Sequence, residues 1–157
     1  WGTPQDLFDF LHAKYKFEVD LAASAGNAKL PMFFTQEQDS LKRDWTLFKS
    51  CFVNPPYSTI GGLFTQKAYM AGLDGVTVVC ILPARTDTKW WHNNIMDDKA
   101  KAVWLINGRL KFVRDDGKTG SAPFPSAIVD FGPKLPQELT HWGRAYFSKL
   151  TNTWRLT

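Results

Sequence analysis

Residues 50–57 read Ser50-Cys51-Phe52-Val53-Asn54-Pro55-Pro56-Tyr57, and the break inside this stretch decides how the rest of the chain is read. Cys51, Phe52 and Val53 follow one another with no polar residue between them, the pattern of a strand buried on both faces. Two consecutive prolines then stop the strand, because neither can donate an N–H to a ladder. Their carbonyls stay available as acceptors. A rigid corner results, which gathers the Asn54 amide, the carbonyl of Pro55 beside Pro56, and the Tyr57 ring at one strand end. These groups suit a planar substrate bearing an –NH2 group. The Asn54 side-chain oxygen and the Pro55 carbonyl can each accept one N–H, and Tyr57 can stack on the ring. Such bonding draws the amine lone pair out of conjugation and aims it at an electrophile, with no prior deprotonation.

Working outward, residues 76–82 form the clearest central strand, continuous, β-branched and ended by Pro83. A helix is expected from Thr3, which can cap it, and Pro4, which suits its first position, through Tyr15. Residues 17–23 read as a strand ending in small residues, and 32–34 as a short one. A helix over 62–71 turns Leu63, Phe64, Ala68 and Met70 inward, and residues 88–96 form another. Further strands fall at 102–106, 110–113, 126–131 and 143–150, with a turn at 115–120. Strands alternating with helices early and strand-rich sequence late predict a single compact α/β domain. Its sheet should be mostly parallel, with an antiparallel C-terminal hairpin. Ligands bind at the carboxyl ends of strands in such sheets, where Asp20, Asn54 and Pro83 fall.

The chain has 157 residues, so residues 1–157 are expected to form one domain with no separate target-recognition domain. With 44% apolar and 22% charged residues it reads as an ordinary soluble globular chain. Its apolar runs are too short to span a membrane. It begins at Trp1 without a charged-then-apolar leader, so no secretory signal is expected. Cys51 and Cys80 sit inside apolar runs, as reduced core cysteines of a cytosolic protein do. His12, His92 and His141 are isolated and no CxxC or HExxH occurs, so no metal site is expected. Net charge is +4, and it is unevenly placed. Up to Ala84 there are 7 Lys/Arg against 8 Asp/Glu, and from Arg85 onward 12 against 7. A polyanion would therefore dock on the C-terminal half. In that half Arg85, Lys89, Arg109, Lys111, Arg114 and Lys118 can hold phosphates, and Trp90, Trp91, Phe112 and Phe124 can stack on a base.

The motifs, in order along the chain, resemble the compact phage Dam-like DNA N6-adenine methyltransferases. They are Trp1-Gly2-Thr3-Pro4, Phe17-Glu18-Val19-Asp20-Leu21-Ala22-Ala23, Phe34-Thr35 leading to Asp39-Ser40-Leu41, and Asn54-Pro55-Pro56-Tyr57. Arg85-Thr86-Asp87-Thr88, Gly108-Arg109-Leu110-Lys111-Phe112 and Ala122-Pro123-Phe124-Pro125-Ser126 follow. The resemblance implies a Rossmann-like class I methyltransferase sheet, S-adenosylmethionine as cofactor, and transfer to the N6 amine of an adenine flipped out of double-stranded DNA. It also implies residence in the cytoplasm of a bacterial host. Asp20, with Ala22 and Ala23, would face the methionine part of the cofactor. Trp1, Thr3 and Pro4 would close over it, and Asp39 with Leu41 would meet its adenine. Asn54 and Pro55 would serve both cofactor and catalysis. The glycine-rich loop of the wider methyltransferase pattern is absent, and no clear acidic residue follows the second strand, Glu37 being a weak candidate for the ribose hydroxyls. RNA adenine methylation, protein glutamine-N5 methylation and a DNA-binding module without activity are the alternatives.

Overall fold

The computed structural model describes residues 1–57 and 61–157. Helix α1 (Gln5–Tyr15) buries Leu7, Phe8 and Leu11. It starts one residue later than Thr3 would set it. Pro4 takes the capping position with an extended ψ of 134°, and no side chain caps the helix. Thr3 is drawn inward because Gly2 is bridged to Val113, and its buried hydroxyl has no partner among the described residues. Asp6 completes the first turn by accepting the Leu7 N–H at 2.8 Å.

Nine strands follow among the described residues. They are β1 (Val19–Asp20), β2 (Ser50–Val53), β3 (Thr77–Pro83), β4 (Ala102–Ile106), β5 (Lys111–Val113), β6 (Thr119–Ser121), β7 (Ser126–Asp130), β8 (His141–Ser148) and β9 (Thr153–Leu156). Two helices lie between them, α2 (Gly61–Leu73) and α3 (Lys89–Asn94). Seven strands form one sheet in the order β1-β2-β3-β7-β4-β8-β9, and β5 pairs with β6 in a separate hairpin.

The sheet is mixed, not mostly parallel. β1, β2 and β3 run parallel, and so do β4 and β8, but β7 is antiparallel to both β3 and β4. The reason lies in the β5–β6 hairpin. The chain leaves β4 at its carboxyl edge, folds back through that hairpin and re-enters the sheet at the same edge, so β7 must run the opposite way. A parallel return would need a crossover to the far edge. The expected C-terminal hairpin is present as antiparallel β8 and β9. β1 keeps only two of the seven residues expected, and residues 32–34 supply only a parallel bridge from Phe33 to Asp20. Ala22 and Ala23 thus lie beyond the ladder, where their backbone lines a cleft.

Both faces of the sheet are covered. Cys51, Val53, Val78 and Cys80 point to a core shared with Phe64 and Ala68 of α2, while Phe52, Val79 and Ile81 point to the core under α1. Both cysteines are free and buried, and burial pushes the Cys51 thiol up to about 12. Leu63 and Met70, expected inward, stay about half exposed. Phe64, Thr65, Ala68, Ala71 and Gly72 are the buried residues among those described, which rotates the helix relative to the expected stripe. Among the described residues no helix is long and apolar enough to cross a membrane.

Candidate active site

Because β2 and β3 are parallel, Asn54 and Pro83 emerge at the same carboxyl edge, Pro83 two residues farther along its strand. Asn54-Pro55-Pro56-Tyr57 forms the corner between two concavities. On one side is a cleft of about 750 Å³, lined by Trp1, residues 21–25, Asn27, residues 35–37, 39–41 and 54–57, and Phe64. On the other side Pro55, Pro56, Tyr57, Leu82, Pro83, Arg85 and Trp90 enclose a smaller recess.

The Asn54 amide is fixed at both ends. Its Nδ2 donates to the Trp1 carbonyl at 3.4 Å, and its Oδ1 accepts from the Tyr57 hydroxyl at 2.5 Å. An amide oxygen has two lone pairs, so Oδ1 retains an acceptor site beside Tyr57. No donor among the described residues reaches the Pro55 carbonyl. The Tyr57 ring packs edge-on against Phe124, with centroids 5.0 Å apart, and against Phe112 at 5.9 Å. Burial holds the Tyr57 hydroxyl far above the usual phenol range, so it stays a donor at neutral pH.

Trp1 is held by the β5–β6 hairpin. Gly2 and Val113 exchange backbone hydrogen bonds, the Arg114 guanidinium lies 5.4 Å from the centre of the Trp1 ring, and that ring covers Gly120. A Cβ at Gly120 would meet the ring at 3.2 Å, so glycine is what lets the indole lie flat there. Trp1 therefore reaches the corner through its carbonyl, a contact with no signal in the sequence. Thr3 and Pro4 do not line the cleft. They anchor the segment that carries Trp1.

Asp20 is 3% exposed and lies behind the cleft wall. Its carboxylate accepts the N–H of Ala22 at 3.3 Å and of Lys29 at 3.1 Å, which fixes the loop carrying Ala22 and Ala23. Burial raises its pKa from 3.8 to about 6, against the lowering effect of those N–H groups. Across that window the folded chain holds a proton that the unfolded chain has lost. Stability therefore falls as pH rises from about 4 to 6 and levels off above, a change of about 2–3 kcal/mol. Asp20→Asn should flatten this slope, as measured by urea midpoints across the window. Parallel curves for the two proteins would contradict the assignment.

Asp39 and Leu41 both line the cleft. Asp39 holds a left-handed φ of 48° and caps the 3₁₀ turn Ser40–Lys42 by accepting the Leu41 N–H at 3.2 Å. Sequence reasoning missed what holds this turn. Lys67 of α2 donates to the carbonyls of Leu41, at 2.7 Å, and of Arg43, and its ammonium lies 5.3 Å from the centre of the Trp45 ring. Burial lowers the Lys67 pKa. Nothing in the sequence marked a lysine on a helix as a clamp for a turn 24 residues earlier.

The basic half divides by exposure. Arg85, Lys89, Arg109, Lys111, Arg114 and Lys118 are exposed. Trp91 and Phe112, expected to stack on a base, are instead core residues at 1% and 3% exposure. Trp91 is turned inward because Thr88 caps α3 by accepting its N–H, and Phe112 points off the hairpin beneath Tyr57. Phe124 is half-buried, with the Arg85 guanidinium 5.4 Å from its ring centre. Among the described residues no group of three His, Cys, Asp or Glu side chains gathers.

An α/β domain with Asn-Pro-Pro-Tyr at the end of a buried strand, beside a nucleoside-sized cleft, is the arrangement expected of an amino-group methyltransferase. The family profile for DNA N-6-adenine-methyltransferase (Dam) matches residues 1–139. A DNA N-6-adenine-methyltransferase of Haemophilus phage HP1 is 31% identical over 140 residues, covering 87% of this chain and 80% of that protein. Another, from Escherichia phage T1, is 31% identical over 137 residues, 78% of this chain and 56% of its own length. The chain belongs to the Dam family of DNA N6-adenine methyltransferases.

Proposed function

We propose that this chain, a DNA N6-adenine methyltransferase by family, uses S-adenosylmethionine held in the cleft beneath Trp1 and acts on an adenine flipped from double-stranded DNA against Asn54-Pro55-Pro56-Tyr57. The observation that carries the reading is the corner itself, an amide pinned by Trp1 and Tyr57 beside a proline carbonyl with no donor among the described residues. The cleft fits the cofactor in size and lining. Its 750 Å³ lies within the range of small-molecule sites, and Ala22 and Ala23 leave backbone open to close approach. Asp39 and Leu41 would meet the adenine, the Trp1 ring would lie over the cofactor, and Glu37 lines the same cleft. Asp20 acts on the cofactor through the loop it orders. Its sheet, with β7 antiparallel between β3 and β4, is read as a shortened class I methyltransferase sheet.

When bound, S-adenosylmethionine supplies an electrophilic methyl group. Asn54 Oδ1 and the Pro55 carbonyl accept the two N–H bonds of the target amine and fix the direction of its lone pair. Tyr57, itself fixed by Phe124 and Phe112, holds Asn54 and borders the recess where the base would lie. Positioning supplies most of the acceleration, so no side chain with a base's pKa is needed at the corner. Residues 1–157 act as one domain, in which loops and the exposed cations Arg85, Lys89, Arg109, Lys111, Arg114 and Lys118 hold the duplex, in the cytoplasm of the host. Sequencing of modified bases in DNA from cells expressing the protein tests this. N6-methyladenine at a recurring site supports it, and unmodified adenine at every site would overturn it.

The Lys67 clamp gives a second test. Lys67→Met should weaken binding of S-adenosylhomocysteine about tenfold, since charge-assisted hydrogen bonds contribute about 1.5–3 kcal/mol. Turnover at saturating cofactor should change little, and Lys67→Arg should restore part of the affinity. Calorimetric titration reads this directly. Unchanged affinity in Lys67→Met would show that the turn holds without its clamp.

A further inference from the structure

We infer that the tip of the β8–β9 hairpin, Lys149 and Leu150, is a second DNA foothold that extends the footprint well beyond the target base. The inference rests on the proposed duplex DNA substrate. β8 runs parallel to β4, and β7 is antiparallel to both β4 and β3, so β8 runs in the same direction as β2 and β3. Its carboxyl end therefore opens onto the edge that carries Asn54 and Pro83. Residues 149–152 turn the chain there, with Asn152 in the left-handed region at φ 54°. Leu150 is 99% exposed, the largest exposure among the large apolar residues described.

Charge on this edge fits a polyanion. The loops leaving β3, β4 and β8 and the first residue of α3 carry Arg85, Lys89, Arg109 and Lys149 against a single acid, Asp87. At the opposite edge, in the segments entering β1, β2, β3, β4 and β8, Lys16, Lys49, Lys99, Lys101 and Lys134 are balanced by Glu18, Asp74, Asp97, Asp98 and Glu138. The two edges belong to one sheet, yet only the catalytic one has an excess of cations. β2 and β8 are four strand spacings apart, an offset across the sheet of about 19 Å between corner and tip. Along a duplex laid on this edge, that is about five to six base pairs from the target adenine. Lysine beside an exposed leucine supplies the two contacts a groove needs, a cation for phosphate and an apolar wedge for a groove wall or base step.

The test uses Lys149→Gln/Leu150→Ser, whose side chains are exposed, so folding is not at stake. Methyl transfer is compared on a duplex with the target adenine central and on duplexes ending about three base pairs to either side of it. The expected result is a KM for the central duplex raised about tenfold, with kcat unchanged and the dependence of log KM on log salt shallower by about one. On the duplex truncated on the hairpin's side, variant and wild type should be alike. Equal KM values on the central duplex would overturn the proposal, as would an equal loss on all the duplexes. If the wild type transferred nothing to any adenine duplex, the underlying reading would fail, and that outcome is distinct from the others.

Discussion

Replacement of Asn54 by alanine is expected to reduce methyl transfer to DNA about 10³-fold without altering the fold. A single polar group that stabilises developing charge contributes about 10²–10³ in rate, and loss of orientation adds to this. Alanine removes both contributions at once. The Oδ1 acceptor disappears, and so does the link through Nδ2 to Trp1 that fixes where the acceptor points. Asn54→Asp separates them. It keeps an acceptor for the amine and for Tyr57 but cannot donate to the Trp1 carbonyl, so its loss should be smaller, about 10²-fold. Single-turnover rates with labelled cofactor decide the matter. An alanine variant turning over within a few-fold of wild type would remove Asn54 from the chemistry.

The largest expected effect on stability is at Gly72, on the last turns of α2. A Cβ built there falls 2.0 Å from the carbonyl oxygen of Phe131, a separation no pair of such atoms tolerates. Two effects of Gly72→Ala oppose each other. Alanine gains about 1 kcal/mol over glycine as a helix former. Against this, helix and sheet must separate, and overpacking a core costs about 1–3 kcal/mol or more. The obstacle is backbone and cannot rotate away, so the cost wins. With a cost at or above the top of that range, a net loss of about 2 kcal/mol or more is expected in urea unfolding. Function should suffer with it, because α2 also carries Phe64, which lines the cleft, and Lys67, which holds the turn of Leu41. A midpoint at or above that of wild type would show that the helix can shift freely.

The stretches read correctly from sequence are those in which burial leaves a mark on every residue. Ser50–Val53 and Thr77–Pro83 are covered on both faces, so their apolar runs announce strands whatever their neighbours do. Asn54-Pro55-Pro56-Tyr57 is legible because proline chemistry acts locally. Strand direction is not recorded in that way. The run at Ser126–Asp130 says that β7 is buried, but only the hairpin before it settles which way it runs. Side-chain chemistry is equally silent about address. Trp91 and Phe112 carry the same rings as a base-stacking residue, yet helix phase and hairpin register turn them into the core. Asp20 resembles a cofactor ligand in an apolar strand, and its actual partners are two backbone N–H groups of the following loop. The clamp from Lys67 and the support of Asn54 by the Trp1 carbonyl are contacts across 24 to 53 residues that no local pattern encodes.

The charge asymmetry gains a location from the fold. Four of the five excess positive charges that begin at Arg85 are spread over the β5–β6 hairpin and the carboxyl edge, the surfaces that flank the corner, and so proximity to the chemistry follows from strand direction rather than from position along the chain.

The central claim is that the corner at Asn54-Pro55-Pro56-Tyr57 presents an adenine amine for methylation. The most direct measurement is transfer of a labelled methyl group from S-adenosylmethionine to unmethylated duplex DNA, followed by nucleoside analysis of the product. The account predicts label in N6-methyladenine alone, and its loss in Asn54→Ala. Label in cytosine, in protein or nowhere would contradict it.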